Sequence, residues 1–135
     1  MSLSKISNLV SGDIAIDLGT ANTLIWMKGQ GVVLNEPSVV ARNKVNNEII
    51  AVGAEAMEMV GRTPDFIETI RPLKDGVIAD HKMNDAMILG FIRKMKLSRI
   101  SRPRIVICIP SGVTPVERRS VRESAEHANA SEVYL

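Results

Sequence analysis

The chain has 135 residues, of which 45% are hydrophobic and 24% charged, and its formal net charge is +2. These values are typical of a folded globular chain, and the small charge together with an aromatic fraction of 3% argues against nucleic-acid binding. The sequence has no apolar run long enough to span a bilayer and no recognisable signal peptide, so we expect a cytoplasmic protein.

The N-terminal half is predicted to be mainly β-structure. Apolar and polar residues alternate from Asp13 to Leu18, which indicates a strand, and Gly19 opens a turn. A strand is expected to begin at Pro37, because a missing N–H is tolerated at a strand start. The predicted strands cover residues 13–18, 23–27, 32–34, 37–41 and 49–52. A short helix over 54–60, a loop over 62–72 and an extended piece over 76–79 are predicted to follow.

The second half is predicted to alternate helix and strand. Residues 83–97 form the strongest predicted helix, with one apolar face made by Ile88, Phe91, Ile92 and Met95. The β-branched run over 104–109 predicts a strand buried on both faces, and its residue Cys108 is expected to be a buried, inert thiol.

A capping box is predicted at the start of the last helix. Thr114 serves as N-cap, Pro115 takes the first helical position and Glu117 lies three residues beyond the cap. This helix should run to about Ala130, and residues 132–135 should begin a new strand. Because the sequence stops inside that apolar strand, we expect the chain to be a truncated piece.

The turn after the first strand carries the candidate chemistry. Gly19 lets the backbone approach a ligand closely, and successive main-chain N–H groups in such a turn form a concavity that binds anions. Thr20 and Asn22 can add side-chain donors, and Asp17 can project towards a phosphate-bound metal ion. Taken alone, these four residue types also fit an ordinary hairpin turn with an exposed Asp17.

Several longer segments resemble the MreB family of bacterial actins. The resemblance covers almost the whole chain from Asp13 onward, and its runs are far more specific than the turn. The matching segments are residues 16–24, 28–31, 34–40, 70–80 and 116–124.

The resemblance implies an α/β, actin-like (ribonuclease H-like) fold, of which this chain holds only the first lobe, incomplete. Residues 1–12 would be an N-terminal tail or an amphipathic membrane-binding segment. Residues 13–35 and 75–135 would form the larger subdomain of the lobe, and residues 36–74 the small upper subdomain.

The resemblance also implies a ligand and its site. ATP with Mg²⁺ would be the cofactor, and Mg²⁺ would meet Asp17 through water, since it dehydrates reluctantly. The family's other cleft residues lie beyond the point that matches Leu135, so no catalytic residue is expected within this chain. The implied nucleotide-binding residues are Asp17, Gly19, Thr20, Ala21 and Asn22.

The implied function is a cytoskeletal, filament-forming ATP-binding protein that maintains rod shape by organising cell-wall synthesis. Its partners would be further copies of itself, the inner face of the cytoplasmic membrane and cell-wall elongation proteins. The apolar residues near the N-terminus and the loop 97–100, with its basic neighbours, are candidates for membrane contact. A small-molecule kinase of the same fold, a chaperone ATPase and an inactive remnant are the alternatives.

Overall fold

The computed structural model describes residues 13–97 and 102–135, and ten strands and three helices lie in these two ranges. The strands are β1 Asp13–Leu18, β2 Asn22–Met27, β3 Gly31–Pro37, β4 Val40–Asn43, β5 Ile49–Val52, β6 Ile67–Ile70, β7 Leu73–Lys74, β8 Val77–Ile78, β9 Arg104–Cys108 and β10 Glu132–Tyr134. The helices are α1 Ala54–Glu58, α2 His81–Lys94 and α3 Pro115–His127.

The larger sheet has five strands in the order β10-β9-β1-β2-β3. β1, β2 and β3 form an antiparallel meander, whereas β9 and β10 run parallel to β1 with α3 as the connection between them. One face of this sheet is buried against α2 and α3, in a core that includes Ile16, Ile107 and Phe91. The sheet therefore positions the turn between β1 and β2 at one of its ends.

A smaller sheet lies between the meander and α2 in the sequence. Its strand order is β5-β4-β6, and its own core contains Val39, Ala41, Ala51 and Ala56. All three strands fall within residues 36–74, the range expected for a small subdomain, although that division stays a prediction. A two-stranded hairpin of β7 and β8 follows.

Two predictions in this region are wrong. Pro37 ends β3 and pairs with Asn22, and the next strand begins only at Val40. The N–H of Ser38 donates to the carbonyl of Ala21, the residue before β2, at 2.9 Å. This bond keeps the two segments side by side for one residue beyond Pro37. The predicted loop over 62–72 contains β6, which is paired along β4 and further linked by the Arg42–Glu68 ion pair.

The helices match their predictions, with shifted ends. α2 begins at His81 because the Asp80 side chain accepts from the Met83 N–H at 3.1 Å, and it ends at Lys94, just before Lys96 turns to a φ of +51°. Its predicted apolar face packs into the core. The capping box of α3 is confirmed in full, and α3 ends at His127.

The predicted burial of β9 on both faces is wrong. Its side chains alternate between buried and exposed, so Ile105 and Ile107 face the core while Val106 and Cys108 face outward. β9 is therefore an apolar strand of which only one face is covered by the described residues. None of the described helices is both long and apolar enough to cross a membrane. The proposed membrane segments, residues 1–12 and most of the loop 97–100, lie outside the described residues.

Candidate functional site

The turn between β1 and β2 is closed by its own backbone. The N–H of Gly19 donates to the carbonyl of Asn22 at 3.1 Å. A Cβ added to Gly19 would lie 2.4 Å from that same oxygen, well inside any tolerated contact. Glycine is therefore required here by the close approach of two main-chain segments and not by a left-handed φ, whereas the predicted close approach to a ligand stays a prediction.

Thr20 and Ala21 form the exposed tip of this turn. Within the described residues, their main-chain N–H groups have no acceptor. The hydroxyl of Thr20 accepts from the N–H of Gly76 at 3.0 Å, which leaves its own proton free to donate. The amide of Asn22 donates one proton to Asn35 at 3.2 Å and keeps a second. The tip thus presents several adjacent donors of the kind that bind phosphate oxygens.

Asp17 lies at the carboxyl end of β1, on the exposed face of the sheet. In register it is flanked by Leu24 on β2 and Cys108 on β9. In the part of the chain that the structure describes, its carboxylate has no hydrogen bond or ion pair, and no cluster of three or more His, Cys, Asp or Glu side chains could hold a metal ion. Mg²⁺ in proteins usually keeps several of its water ligands. A single free carboxylate is therefore enough to contact such an ion through its water shell.

Ser38 binds the turn from its buried side, and the sequence analysis did not predict this role. Its side chain is fully buried, and its hydroxyl donates to the carbonyl of Gly19 at 2.7 Å. Its main-chain N–H reaches Ala21, and its hydroxyl also lies 2.9 Å from that of the buried Thr23. The available signal was a serine at the start of the apolar run Ser38–Ala41, where a hydroxyl needs a partner.

The segment that contains Ser38 also joins the two larger sheets. One carboxylate oxygen of Glu36 accepts from the N–H of Ala54 at 2.9 Å and from Lys94 at 2.7 Å. The same ammonium group of Lys94 donates to the carbonyl of Val52 at 2.8 Å. Two opposite, half-buried charges therefore tie β3, the end of β5 and the last turn of α2 together.

Further titratable groups lie between α2 and α3. Ser120 donates to Asp85, and His81 contacts Glu117 at 2.8 Å. Burial raises the pKa of Asp85 above its ordinary value. The main-chain N–H of Thr114 holds the pKa of Glu117 below its ordinary value. The first two contacts join α2 to α3, and none of these contacts includes a residue of the turn.

The mixed five-stranded sheet, with helices on one face and a donor-rich turn after its first strand, is part of an actin-like lobe. MreB5 of Spiroplasma citri bound to ADP superposes with a TM-score of 0.75 at 39% identity, covering 93% of this chain and 38% of that one. A MamK double helical filament superposes with a TM-score of 0.71 at 18% identity, which shows the shared fold. The family model described as MreB/Mbl protein matches residues 11–135, and the chain belongs to that family.

Curated relatives agree with this assignment. The chain is 54% identical to the cell shape-determining protein Mbl of Bacillus subtilis over 91% of its own length and 37% of that protein. It is 51% identical to the cell shape-determining protein MreB of Escherichia coli K12 over 98% of its own length and 40% of that protein. The chain thus spans about two fifths of the length of these relatives.

Proposed function

We propose that the whole protein is an ATP-binding cytoskeletal subunit that forms filaments and maintains cell shape. The observation that carries this proposal is the donor-rich turn at Gly19–Asn22, found in a chain 39% identical to an MreB5 that binds ADP and AMPPNP. Its relatives named as cell shape-determining proteins support the cellular role. Self-association into filaments and work with cell-wall elongation proteins follow as parts of the same proposal.

Each residue of the turn has a proposed part in binding. The N–H groups of Thr20 and Ala21 and the side chain of Asn22 would contact phosphate oxygens, while Gly19 permits the tight turn that exposes them. Asp17 would orient the water shell of Mg²⁺, which offsets phosphate charge when bound. We assign no catalytic residue to the described part, because phosphoryl transfer needs charge stabilisation from several sides of the nucleotide.

We also propose that the lobe has two subdomains. The smaller would comprise residues 36–74, and the larger would comprise 13–35 with 75–135. The second core cluster, Val39, Ala41, Ala51 and Ala56, supports this division, while Val40 and Val52 of the same sheet pack into the main core. The tie between Glu36 and Lys94 would then be a contact across the subdomain boundary.

Attachment to the inner face of the cytoplasmic membrane is the remaining part of the proposal. Residues 1–12 lead into Asp13 and the loop 97–100 leads towards Arg104, and these two residues are register partners at one end of the sheet. Their side chains form a two-pronged ion pair at 2.8 and 2.9 Å. Asp13, which follows residues 1–12, and Arg104, which follows the loop, are therefore neighbours at that end of the sheet.

The nucleotide assignment can be tested by placing a charge in the turn of the whole protein. Ala21→Asp adds a carboxylate among the donors at an exposed position, so folding should survive while Mg-ATP affinity falls at least about tenfold by repulsion. Gln30→Asp adds the same charge at the exposed turn at the other end of β2 and should leave affinity unchanged. Equal Mg-ATP affinities for both variants in isothermal titration would refute the assignment.

A further inference from the structure

We propose that Ser38 is a positioning residue that fixes the direction of the phosphate-binding N–H group of Thr20, an inference that rests on the proposed nucleotide site. Ser38 lies 19 residues after Gly19 and touches the turn only from the side away from solvent. It is fully buried, so no ligand can contact it directly. Any influence on binding must therefore act through the backbone that it holds.

The geometry of the peptide unit makes this influence specific. In a planar trans peptide, the carbonyl of one residue and the N–H of the next point in opposite directions. The hydroxyl of Ser38 draws the Gly19 carbonyl inward at 2.7 Å, so the N–H of Thr20 must point outward. The N–H of Ser38 draws the Ala21 carbonyl inward in the same way. Two bonds from one residue thus fix two peptide planes of the turn.

The proton of Ser38 has a fixed direction. A serine hydroxyl has one proton, and here that proton goes to the carbonyl of Gly19. The hydroxyl of Thr23, 2.9 Å away, must then donate to Ser38. Loss of the Thr23 hydroxyl removes a buried hydrogen bond but leaves the hold on Gly19 intact. Loss of the Ser38 hydroxyl releases the Gly19 carbonyl itself.

This difference supplies a matched pair of variants. Ser38→Ala and Thr23→Val each remove one buried hydroxyl with little change in shape, so both should lower the melting temperature. Only Ser38→Ala frees the first peptide plane of the turn. We expect Ser38→Ala to weaken Mg-ATP binding by the whole protein about tenfold, a typical effect of losing one hydrogen bond. Thr23→Val should change affinity less than twofold, with melting temperature and titration calorimetry measured on the same samples.

A second measurement needs no variant. In the wild-type protein, the exposed N–H of Thr20 should exchange with solvent quickly, and Mg-ATP should slow this exchange at least about tenfold if phosphate binds there. If the protein binds Mg-ATP but the hydrogen-exchange rate of the Thr20 amide does not change, the proposal that this N–H points at the phosphate is overturned. Equal affinities of Ser38→Ala and Thr23→Val would overturn the positioning role while leaving the nucleotide site in place. Failure of the wild-type protein to bind Mg-ATP would overturn the proposed function and this inference with it.

Discussion

Gly19→Ala is the most direct perturbation of the turn, because one methyl group meets a main-chain atom that cannot rotate away. The added Cβ would lie 2.4 Å from the Asn22 carbonyl oxygen, whereas ordinary contacts begin at 3.4 Å. The two segments must therefore separate by about 1 Å. A movement of this size lengthens the 3.1 Å bond from the Gly19 N–H to Asn22 beyond hydrogen-bond range.

Two effects of different size follow from that movement. Strain and the lost bond should lower the free energy of unfolding by about 1–3 kcal/mol, as overpacking usually does. Displacing ligand-binding donors by about 1 Å can cost a hundredfold in function, so we expect Mg-ATP affinity to fall about 30- to 100-fold. The loss of Mg-ATP affinity should therefore be larger than the small loss of folding stability can account for.

The assay compares Mg-ATP titration with thermal melting in the whole protein, and Gly29→Ala serves as the control. Gly29 also lies in a hairpin turn, but a Cβ there meets no atom within 4 Å and its φ of +84° makes alanine costly only for stability. Gly29→Ala should lower the melting temperature and leave affinity unchanged. If folded Gly19→Ala binds Mg-ATP as tightly as Gly29→Ala does, the turn is not the phosphate site.

Three further outcomes are expected. In the whole protein, Asp17→Ala should impair Mg-ATP binding or turnover with little loss of melting temperature, because the exposed carboxylate has no partner among the described residues; a lower melt with wild-type turnover per folded molecule would contradict its role. Asp85→Asn should change the pH dependence of urea unfolding. The raised pKa of Asp85 means that the contribution of this residue to stability falls as pH rises from the ordinary value of 3.8 through the folded-state value, and the variant should lose that contribution; parallel curves would show that burial of Asp85 has no energetic effect. Thr114→Ala should lower the free energy of unfolding by about 1 kcal/mol by removing the N-cap of α3, whereas Thr114→Ser should restore most of it; equal losses in both variants would exclude the cap as the cause.

Local patterns predicted the elements that depend on local interactions. β1 and the capping box of α3 were found where the sequence placed them, because alternation and cap spacing are properties of neighbouring residues. The glycine of the turn was also predictable from its motif. In each case the physical cause lies within a few residues of its effect.

Features set by distant contacts were missed. β6 is a strand because β4 lies beside it, and no residue in the range 62–72 shows that partner. Pro37 belongs to β3 and does not open a new strand, because Asn22 and the bonds of Ser38 hold this segment against the turn 17 to 19 residues earlier in the chain. Cys108 was expected to be buried because its β-branched neighbours suggested cover on both faces, but helices cover only one. Which face of a strand is covered depends on the whole arrangement and not on the strand's own sequence.

The exposure of Cys108 has a practical consequence for spectroscopy. It is the only cysteine among the 135 residues, and its register partner on the adjacent strand is Asp17, on the same exposed face of the sheet. A maleimide fluorophore or nitroxide spin label would therefore attach at a single position beside the candidate site, with no engineered residue needed in this part of the protein. Its emission or mobility should change when Mg-ATP arrives, and prior nucleotide binding should slow the labelling reaction itself.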